Sequence, residues 1–558
     1  MAPVTQPPCD ETRADMTQKP VLRLLQRPIV IFCATFLTLV VLGHSYLTLP
    51  PHWDALGYVY PAACEIRDHI RTPFVIGTED TGHPTLGFWL IALVWRVQRA
   101  LHLGGGPHLA AHLLMIAFSA LTLVYTYRLA RLALPVGTSW AAVLLLLAHP
   151  IFFAQSLQIQ LDVMLMGWLA VATYYYWRGK WWKFWAAAAA MSLTKAYGAA
   201  FLLAFALFAY CDSYRLPYAQ RGRHVLRWAL FTLSPSVVFV LFVLLRKRMT
   251  GNYLSSPGHM SELNLSVAPS LGSYFLRYPE IFKQIFWGNG ILILFLAGAA
   301  AYGLTLRQSL AAGAPSSRAA SARNPLTSDR GRLLLFLFLQ IPLAFFLWGF
   351  RPQSVHRFYL PIYPHLFVLG AAGLHRLFGS SRARLAAVCA VLIALSVFRW
   401  NPLWGRALPS RSLRSFLCLN EGDALTRANV SDEITLGFGD YVRAVRDAGR
   451  WLDTHQPGAR IMTHYPLNHA LADPDYGYVE KPFVVVGGSV DYLKDIVPGM
   501  ADLYVFTSIN VTSVDPVGLG RFIELRLLKR FEHGRHFVEI YQMGSTAKKR
   551  SPQPATAQ

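Results

Sequence analysis

The sequence predicts a polytopic α-helical integral membrane protein that ends in a small extramembrane α/β domain, and three observations support this prediction. Hydrophobic residues make up 54% of the 558 residues and charged residues only 15%, whereas soluble domains carry about 25% charged residues. Apolar runs of about 20 residues, the length that crosses a bilayer, recur before residue 400. Of the 30 acidic residues, 17 lie from Glu421 onward, so the C-terminal segment has the composition of a domain in water.

The apolar runs predict the membrane-spanning helices one by one. The run near 184–211 is too long for one upright helix and has basic residues at both ends, so it predicts a hairpin of two short helices that turns near Thr194 to Gly198. Each of the other runs predicts one span, and they lie near 29–49, 108–127, 138–154, 160–177, 223–246, 286–306, 333–350, 357–375 and 384–400. We therefore expect about 11 to 13 transmembrane helices.

Basic residues in the gaps between the runs set the predicted orientation. The first run lacks a small-residue cleavage site, so it predicts an uncleaved first span with the N-terminus in the cytoplasm. The basic segments between the later runs all fall on the cytoplasmic side only if residues 84–103 do not cross the membrane, because one more crossing would invert every later loop. This segment, with Arg96 and Arg99, is therefore expected to lie along the interface as an amphipathic helix. Residues 1–28 and 546–558 are expected to be disordered ends.

On this topology, three segments share the non-cytoplasmic side: the loops 50–83 and 249–285 and the tail 401–545. Long loops on one face are where a membrane enzyme would assemble its site, so residues 29–400 are expected to form the catalytic transmembrane domain. Alternating patterns in the tail predict a small α/β domain. Its elements are a helix near Tyr441–Thr454, strands at Arg460–Thr463, Phe483–Gly487 and Leu503–Thr507, a helix near Leu519–Phe531 and a strand near His536–Met543.

Charge and cysteine patterns argue against two other classes of protein. The net charge of +22 comes from short basic gaps between apolar runs and not from a Lys/Arg stripe interleaved with aromatic residues, so nucleic-acid binding is not expected. The six cysteines are scattered, with no CxxC or paired spacing. They therefore predict neither a metal site nor a disulfide framework.

Two aspartates at membrane edges are the sharpest candidates for chemistry. Asp54 directly follows the first span and Asp162 stands near the start of a later one, and both are expected at the outer face. Placing a carboxylate there is costly unless it binds something useful, which indicates a functional site. The structural alternatives are a helix cap at Asp54 and a helix-start charge at Asp162.

Three further segments are candidates for binding an anion. His83 stands just ahead of a helix predicted to begin at Pro84, and helix N-termini attract phosphate; the alternative is a solvated surface histidine. Lys195 lies uncompensated in an apolar run and needs a partner unless it snorkels to the interface. Arg357, next to His356, precedes a late span on the outer side, where it could bind a lipid phosphate or simply contact headgroups.

The acidic residues of the first outer loop are Glu65, Asp68, Glu79 and Asp80. They are expected to be solvated, although any of them could join Asp54 and His83 around a metal ion. Their spacing fits no specific metal signature, so no metal ligand is assigned. A divalent cation stays open as a cofactor.

The order of these motifs resembles that of the GT-C glycosyltransferases. The motifs are Asp54 after the first span, the run from Gly82 to Trp89, the block HPIFFAQSLQIQLDVMLM, then LTKAYG and HRFYLPIYP. Within this superfamily the chain is most similar to the bacterial protein-mannosyltransferase/aminoarabinose-transferase-like branch, whose members use polyprenyl-phosphate-linked sugars. The resemblance covers roughly residues 28 to 400 and implies the GT-C membrane fold.

The resemblance also implies a role for each matched residue. Asp54 matches the catalytic base of the family, and Asp162 matches the second carboxylate of its site. Lys195 matches the lysine of the family's LTKG run and is implied to bind the donor phosphate. His83 has the same implied role, but it stands where many relatives have Lys in a KPP motif, and Thr85 replaces the second proline of that motif.

The late motif supplies the remaining implied phosphate ligands. His356, Arg357 and Tyr359 match the Arg-Tyr-x-x-Pro pattern that opens a late span in the family. The tail from Glu421 matches no family motif.

The function implied is transfer of a sugar from a polyprenyl-phosphate donor to an acceptor hydroxyl on the non-cytoplasmic side, with inversion at the sugar carbon. The acceptor could be a protein, a glycan, a lipid or a small molecule, and the expected location is the inner membrane of a bacterium. The alternative is a lipid or sugar transporter or flippase without transferase chemistry; such proteins commonly carry internal repeats, and the sequence shows none. A structural scaffold, for which neither aspartate would matter, is a third possibility.

Overall fold

The computed structural model describes residues 26–68, 83–104, 106–214, 217–251, 253, 328–349, 356–379, 381–398, 435–487, 499–509 and 515–547. The two terminal segments, the loop 249–285 and the apolar run 286–306 fall wholly or largely outside these ranges, so what the sequence indicates for them stays a prediction. The domain boundaries given above stay predictions for the same reason.

Helices make up almost all of the described chain up to residue 398. The α-helices are Pro28–Gly43, Tyr60–Asp68, Leu86–Ala100, Gly106–Ala133, Val136–Ala148, Pro150–Ser156, Leu161–Trp177, Trp181–Thr194, Leu202–Ser213, Tyr218–Leu233, Pro235–Thr250, Asp329–Gly349, Tyr363–Phe378 and Arg382–Phe398. A π-helical turn spans Ala55–Val59, and 3-10 helices span His44–Tyr46, Ala196–Phe201 and His356–Ile362.

The first helix shows how these segments suit a bilayer. Pro28 fits the first turn of this helix, because a backbone N–H at that position would have no partner within the helix and proline carries none. One stripe of this helix is buried, from Ile31 to Gly43 in steps of four residues, and Leu157 packs directly against Gly43. The other faces expose apolar side chains such as Leu37 and Val41. A helix with apolar side chains on every face is stable in lipid, which accepts the exposed faces.

Length and composition identify several membrane-crossing segments among the described residues. Three helical segments can each cross a bilayer, and the number rises to five if two bent pairs of helices each form one span. The single segments are Pro28–Tyr46, Pro107–Ala133 and Ala196–Ser213, and the bent pairs meet at His149 and at Ser234. The larger total expected from the sequence stays a prediction.

The long apolar run near 184–211 folds back on itself at Lys195. The helix Trp181–Thr194 ends there, because Lys195 is extended (φ −147°, ψ 138°), and Ala196–Phe201 leads into the next helix. The rings of Phe184 and Phe205 lie 5.1 Å apart, whereas 21 residues of continuous helix would separate them by about 30 Å. The predicted turn near Thr194 to Gly198 is therefore observed.

The segment after the first outer loop is amphipathic, as its sequence predicts. In the helix Leu86–Ala100, one face is buried, including Phe88, Ile91 and Trp95, and the Trp95 indole donates to the Pro107 carbonyl oxygen at 2.8 Å. The helix begins at Leu86, two residues later than expected, so Pro84 lies outside its first turn. Its position along the membrane interface stays a prediction.

The C-terminal part of the chain is a five-stranded mixed sheet with one long helix packed on it. The strands are β1 Arg460–Thr463, β2 Val484–Gly487, β3 Leu503–Thr507, β4 Ile523–His533 and β5 His536–Ala547, in the spatial order β2-β1-β3-β5-β4. Strand β1 is parallel to β2 and β3, whereas β5 is antiparallel to β3 and β4. The helix Phe438–His455 buries one apolar face, which includes Tyr441, Val445 and Leu452, against β4 and β5. Shorter helices span Leu467–Ala472, Pro474–Tyr476 and Pro516–Leu519.

One predicted element of this domain is wrong. The segment Leu519–Phe531, expected to be a helix, contributes its first residue to a short helical turn and then forms most of β4. The reason lies in the turn that follows, where His533 pairs with His536 across Gly534 and Arg535. Gly534 has a positive φ of 59°, as two-residue hairpin turns require, so the chain forms a β-hairpin despite the helix-like spacing of its leucines.

The sheet domain docks on one end of the helical body, at the segment that follows the first helix. The hydroxyl of Tyr478 donates to the carbonyl oxygen of Pro51 at 2.8 Å, and Arg67 forms an ion pair with Asp475 at 3.4 Å. A Cβ at Gly439 would collide with the ring of Tyr46. These contacts fix the domain over the segment that follows the first helix.

Candidate active site

Asp54 stands at the start of a distorted turn directly after the first helix. It is the N-cap of the π-helical turn Ala55–Val59, and the residue before it, Trp53, has a left-handed backbone (φ 51°). Such backbone conformations are costly and cluster at functional sites. The Oδ2 atom of Asp54 accepts a hydrogen bond from the Tyr58 hydroxyl at 3.0 Å and another from the guanidinium of Arg357.

Asp162 lies deeper, at the second residue of the helix Leu161–Trp177. Its side chain is fully buried, with an exposed fraction of 0%. The ammonium of Lys195 donates to Oδ2 at 2.7 Å, and the hydroxyl of Tyr197 donates to Oδ1. Both oxygens are therefore engaged, which a buried carboxylate needs to offset its loss of water.

Lys195 reaches Asp162 because the helical hairpin breaks at that residue. The extended backbone at Lys195 is followed by a tight turn in which a Cβ at Gly198 would collide with the Met191 carbonyl oxygen. The ammonium lies 5.0 Å from the centre of the Tyr197 ring and 5.2 Å from that of Phe358, within cation–π range. The sequence predicted that Lys195 needs a partner, and the structure supplies one.

Arg357 joins the two aspartates. It stands on the 3-10 helix His356–Ile362 and is 4% exposed. Its guanidinium pairs with Asp54 on one side, and its Nε lies 3.9 Å from Asp162 Oδ2 on the other. With Lys195, two positive and two negative side chains form one cluster from four separate segments of the chain.

The remaining candidates lie around this cluster. The ring of His83 contacts that of Tyr58 edge-on, with centroids 5.4 Å apart. Tyr58 in turn donates to Asp54, so it lies between His83 and that aspartate. Tyr359 lies on the same 3-10 helix as Arg357, and its buried ring packs on Phe345 at 5.2 Å. His356 is the first residue of that helix.

Three tyrosines of this region were missed by sequence reasoning. Tyr58 follows Asp54 by four residues, the spacing at which side chains on a helical turn meet, so it had a recognisable signal. Tyr197 lies within the LTKAYG motif but carried no charge to single it out. Tyr465 comes from the sheet domain: it contacts Gly57 and Trp53, and no local pattern in the tail indicates this contact.

The described residues of the cluster do not form a set of metal ligands. Among the described residues, no three His, Cys, Asp or Glu side chains are grouped as ligands would be. Asp54 and Asp162 face Arg357 and Lys195, whose positive charges take the place that a cation would need. Asp68, one of the loop acids considered for such a site, pairs with Arg67 instead. Glu79 and Asp80, two more of those acids, lie outside the described residues.

The two aspartates differ in what they can do. Asp54 is 16% exposed, and both of its contacts fall on Oδ2; within the described parts of the chain, Oδ1 has no hydrogen bond. Asp162 has no exposed surface and uses both oxygens. Of the two aspartates, Asp54 is thus the one with a carboxylate oxygen open to a molecule that enters from outside.

Comparison with known proteins supports the fold. No protein-family model matches the sequence, and no curated protein matches it. Among solved structures, ArnT from Cupriavidus metallidurans bound to undecaprenyl phosphate matches with a TM-score of 0.53 at 15% identity, over 94% of this chain and 99% of that one. The same protein in the apo state gives a TM-score of 0.53 at 17% identity, with the same coverage.

A second similar structure is that of the Archaeoglobus fulgidus oligosaccharyltransferase in the apo form. It matches at 12% identity with a TM-score of 0.46, over 86% of this chain and 69% of that one. At the identities of the ArnT structures, similarity shows the fold, and that fold is the GT-C fold. The expectation of a GT-C-like helical membrane protein with a small C-terminal α/β domain is thus confirmed.

Proposed function

We propose that this protein is an inverting membrane glycosyltransferase that moves a sugar from a polyprenyl-phosphate-linked donor to an acceptor hydroxyl, with Asp54 as the base. The observation that carries the proposal is the position of Arg357, which contacts Asp54 and Asp162 together while Lys195 holds Asp162. The fold agrees with it, since ArnT, a protein of the same fold, has been solved with undecaprenyl phosphate bound.

The proposed reaction is a single displacement at the anomeric carbon of the sugar. The acceptor oxygen attacks this carbon from the face opposite the phosphate, and the bond between the carbon and the phosphate oxygen breaks. The bonding electrons leave with the polyprenyl phosphate, and the acceptor proton passes to Asp54 Oδ1. Such proton transfer by a positioned carboxylate typically accelerates a reaction by about 10²- to 10⁴-fold.

In this mechanism Asp162 is a positioning residue. Its oxygens hold the Lys195 ammonium and the Tyr197 hydroxyl in the interior, where each could otherwise adopt several rotamers. Lys195 makes one hydrogen bond within the described residues, so its ammonium keeps further N–H donors for a phosphate oxygen. Preorganised cations of this kind stabilise the charge that develops on a leaving group.

Arg357 couples the proton transfer to the departure of the phosphate. Before the reaction its guanidinium is held by the negative charge of Asp54. When Asp54 takes the proton its charge disappears, while the leaving phosphate gains one negative charge. The guanidinium is then drawn toward the phosphate at the moment when it is most needed. His83, His356 and Tyr359 are proposed as further donor-phosphate ligands.

The proposal includes the location of the reaction. The N-terminus lies in the cytoplasm, and the sheet domain lies outside, in the periplasm of a bacterial inner membrane. The lipid donor enters sideways from the bilayer, and the acceptor comes from the aqueous side.

The test uses the purified full chain in proteoliposomes with radiolabelled undecaprenyl-phosphate sugars. Candidate acceptors are a bacterial envelope extract and n-octyl β-D-glucoside, and release of undecaprenyl phosphate reports the transfer. We expect release by the wild-type protein and its loss in Asp54→Asn. The matched control is Asp212→Asn, which breaks another carboxylate–arginine pair, with Arg332, outside the cluster.

The same preparation separates the transporter alternative. A flippase would move the labelled lipid between leaflets without cleaving it, and Asp54→Asn would change only the distribution of the intact lipid. Wild-type protein that moves the donor but releases no undecaprenyl phosphate would therefore reject the transferase.

A further inference from the structure

Tyr465 brings the sheet domain into contact with the turn that carries Asp54. Its ring lies against Gly57, because any Cβ at that position would collide with the Tyr465 hydroxyl. Its ring also meets that of Trp53 edge-on, with centroids 6.2 Å apart. Tyr465 thus contacts one residue before Asp54 and one after it in the chain, although Tyr465 itself belongs to the sheet domain.

The hydroxyl of Tyr465 differs from those of three other tyrosines of the site and the docked domain. Tyr58 donates to Asp54, Tyr197 to Asp162 and Tyr478 to Pro51. The Tyr465 hydroxyl makes no hydrogen bond within the part of the chain that the structure describes. It therefore has a donor to offer to a bound molecule.

The exposure of these residues indicates which molecule that is. Lys195 and Asp162 are almost fully buried, at 2% and 0% exposed, so the phosphate side of the cluster lies in the interior. Asp54 is 16% exposed and Tyr465 is 38% exposed. Side-chain exposure thus increases from the phosphate ligands to the base, and Tyr465, beside the base, has part of its surface open to water although its hydroxyl packs against Gly57.

We propose that Tyr465 is an acceptor-positioning residue whose hydroxyl donates a hydrogen bond to an oxygen beside the nucleophilic hydroxyl and so directs that hydroxyl to Asp54. The inference rests on the proposed glycosyl transfer and adds a role for the sheet domain in the reaction. It also names a chemical feature of the acceptor, which carries a hydrogen-bonding oxygen close to the hydroxyl that is glycosylated.

The electrostatic surroundings agree with a donor role. Burial raises the pKa of the Tyr465 hydroxyl, and the negative charge of Asp54 raises it further against the opposing effect of Arg357. The phenol consequently keeps its proton throughout the neutral range and offers it to the acceptor.

The experiment compares wild-type protein with Tyr465→Phe, which keeps the ring against Gly57 and Trp53 and removes only the hydroxyl. Two surrogate acceptors are used: n-octyl β-D-glucoside, which carries oxygens next to each hydroxyl, and 1-octanol, which carries none. We expect Tyr465→Phe to raise the KM for the glucoside by about threefold to tenfold, the value of one neutral hydrogen bond. The KM for the donor and the rate with 1-octanol should stay unchanged.

A second variant tests the position of the ring independently. Gly57→Ala should displace Tyr465 and lower the preference for the glucoside over 1-octanol by at least as much as Tyr465→Phe does. The double variant should be no worse than Gly57→Ala alone, because the hydroxyl is already displaced. Melting temperatures of all variants report whether they fold.

The outcomes separate this inference from the proposed function. Active wild-type protein whose glucoside KM is unaffected by Tyr465→Phe would overturn the role of Tyr465 and leave the transferase intact. Equal losses with both acceptors would also overturn it, because they would indicate a purely structural effect. Wild-type protein that releases no undecaprenyl phosphate with any acceptor would overturn the transferase and this inference together.

Discussion

Arg357 and Asp54 form an ion pair although 303 positions separate them in the sequence. The same guanidinium lies near Asp162, so one cation keeps two carboxylates in a single cluster. Two carboxylates brought close together repel each other and would favour protonation of one of them. The shared arginine places a positive charge beside both negative ones and so offsets this repulsion.

The two aspartates should respond differently to the same substitution. Asp54→Asn should lower the single-turnover rate of sugar transfer by about 10²- to 10⁴-fold, because the acceptor proton loses its base. Its melting temperature should fall only slightly, because Arg357 keeps Asp162 nearby as a counter-charge. Asp162→Asn should lower the melting temperature as well, since Lys195 then lacks its counter-charge. A wild-type rate in Asp54→Asn, in a folded sample, would contradict the assignment of the base.

The pair of Lys195 and Asp162 should show strong coupling. Lys195→Met leaves a fully buried carboxylate with only the more distant Nε of Arg357 beside it, and breaking a buried pair in this way costs about 3–5 kcal/mol. Combining it with Asp162→Asn should recover most of this loss, because no unpaired charge remains, while transfer stays abolished. Thermal unfolding in detergent measures the stability of the single and double variants. Additive losses in the double variant would show that the two side chains do not form a pair.

Arg357 should not be replaceable by lysine. The guanidinium contacts Asp54 through Nη2 and approaches Asp162 through Nε, and a single ammonium cannot reproduce this fork. Arg357→Lys should reduce transfer by about a hundredfold, the cost of losing one preorganised donor. The control is Arg332→Lys at the Asp212 pair, which should keep wild-type activity. Full activity in Arg357→Lys would show that charge alone suffices at this position.

Acid should destabilise the sheet domain through His464. This side chain is 1% exposed, and burial lowers its pKa to about 4, whereas an unfolded histidine has a pKa of about 6.5. Between these values the unfolded state binds a proton that the folded state does not, so stability falls as the pH drops from about 6.5 toward 4. The total loss is about 3 kcal/mol.

The measurement for His464 is the melting temperature of wild type and His464→Gln across this pH range. The glutamine keeps a donor for the carbonyl oxygen of Ile509, which His464 contacts at 3.3 Å, and cannot titrate. Its melting temperature should therefore depend less steeply on pH than that of wild type. Parallel curves for the two proteins would rule out His464 as the source of acid sensitivity.

The sequence was most informative at charged residues beside apolar runs, where an ionised side chain costs free energy. Asp54, Asp162, Lys195 and Arg357 stand out because ionised side chains are rare beside long apolar runs, and the structure brings all four together. Contacts that depend on how two domains dock leave no such trace. Tyr465 is one aromatic residue among many in the tail, and only the contact between the sheet domain and the turn at Trp53 and Gly57 places it beside Asp54.

The spacing of apolar residues gave a wrong prediction for the segment that forms β4. The segment that becomes β4 has apolar residues such as Leu525, Leu528 and Phe531 three residues apart, which favours a helix. Pairing with β5 across Gly534 outweighs that preference. The outcome was decided by a partner strand that follows later in the chain, which a local reading of residues 519–531 does not include.

The long sequence separations within the cluster bear on how the protein is made. Asp54 leaves the ribosome before Arg357, which follows 303 residues later, and the bond from Tyr478 to Pro51 closes a span of 427 residues. The cluster and the contact between the domains therefore form only after these later segments have been made. A fragment that stops before residue 357 would carry Asp54 without its arginine, so under the proposed function it would not transfer sugar.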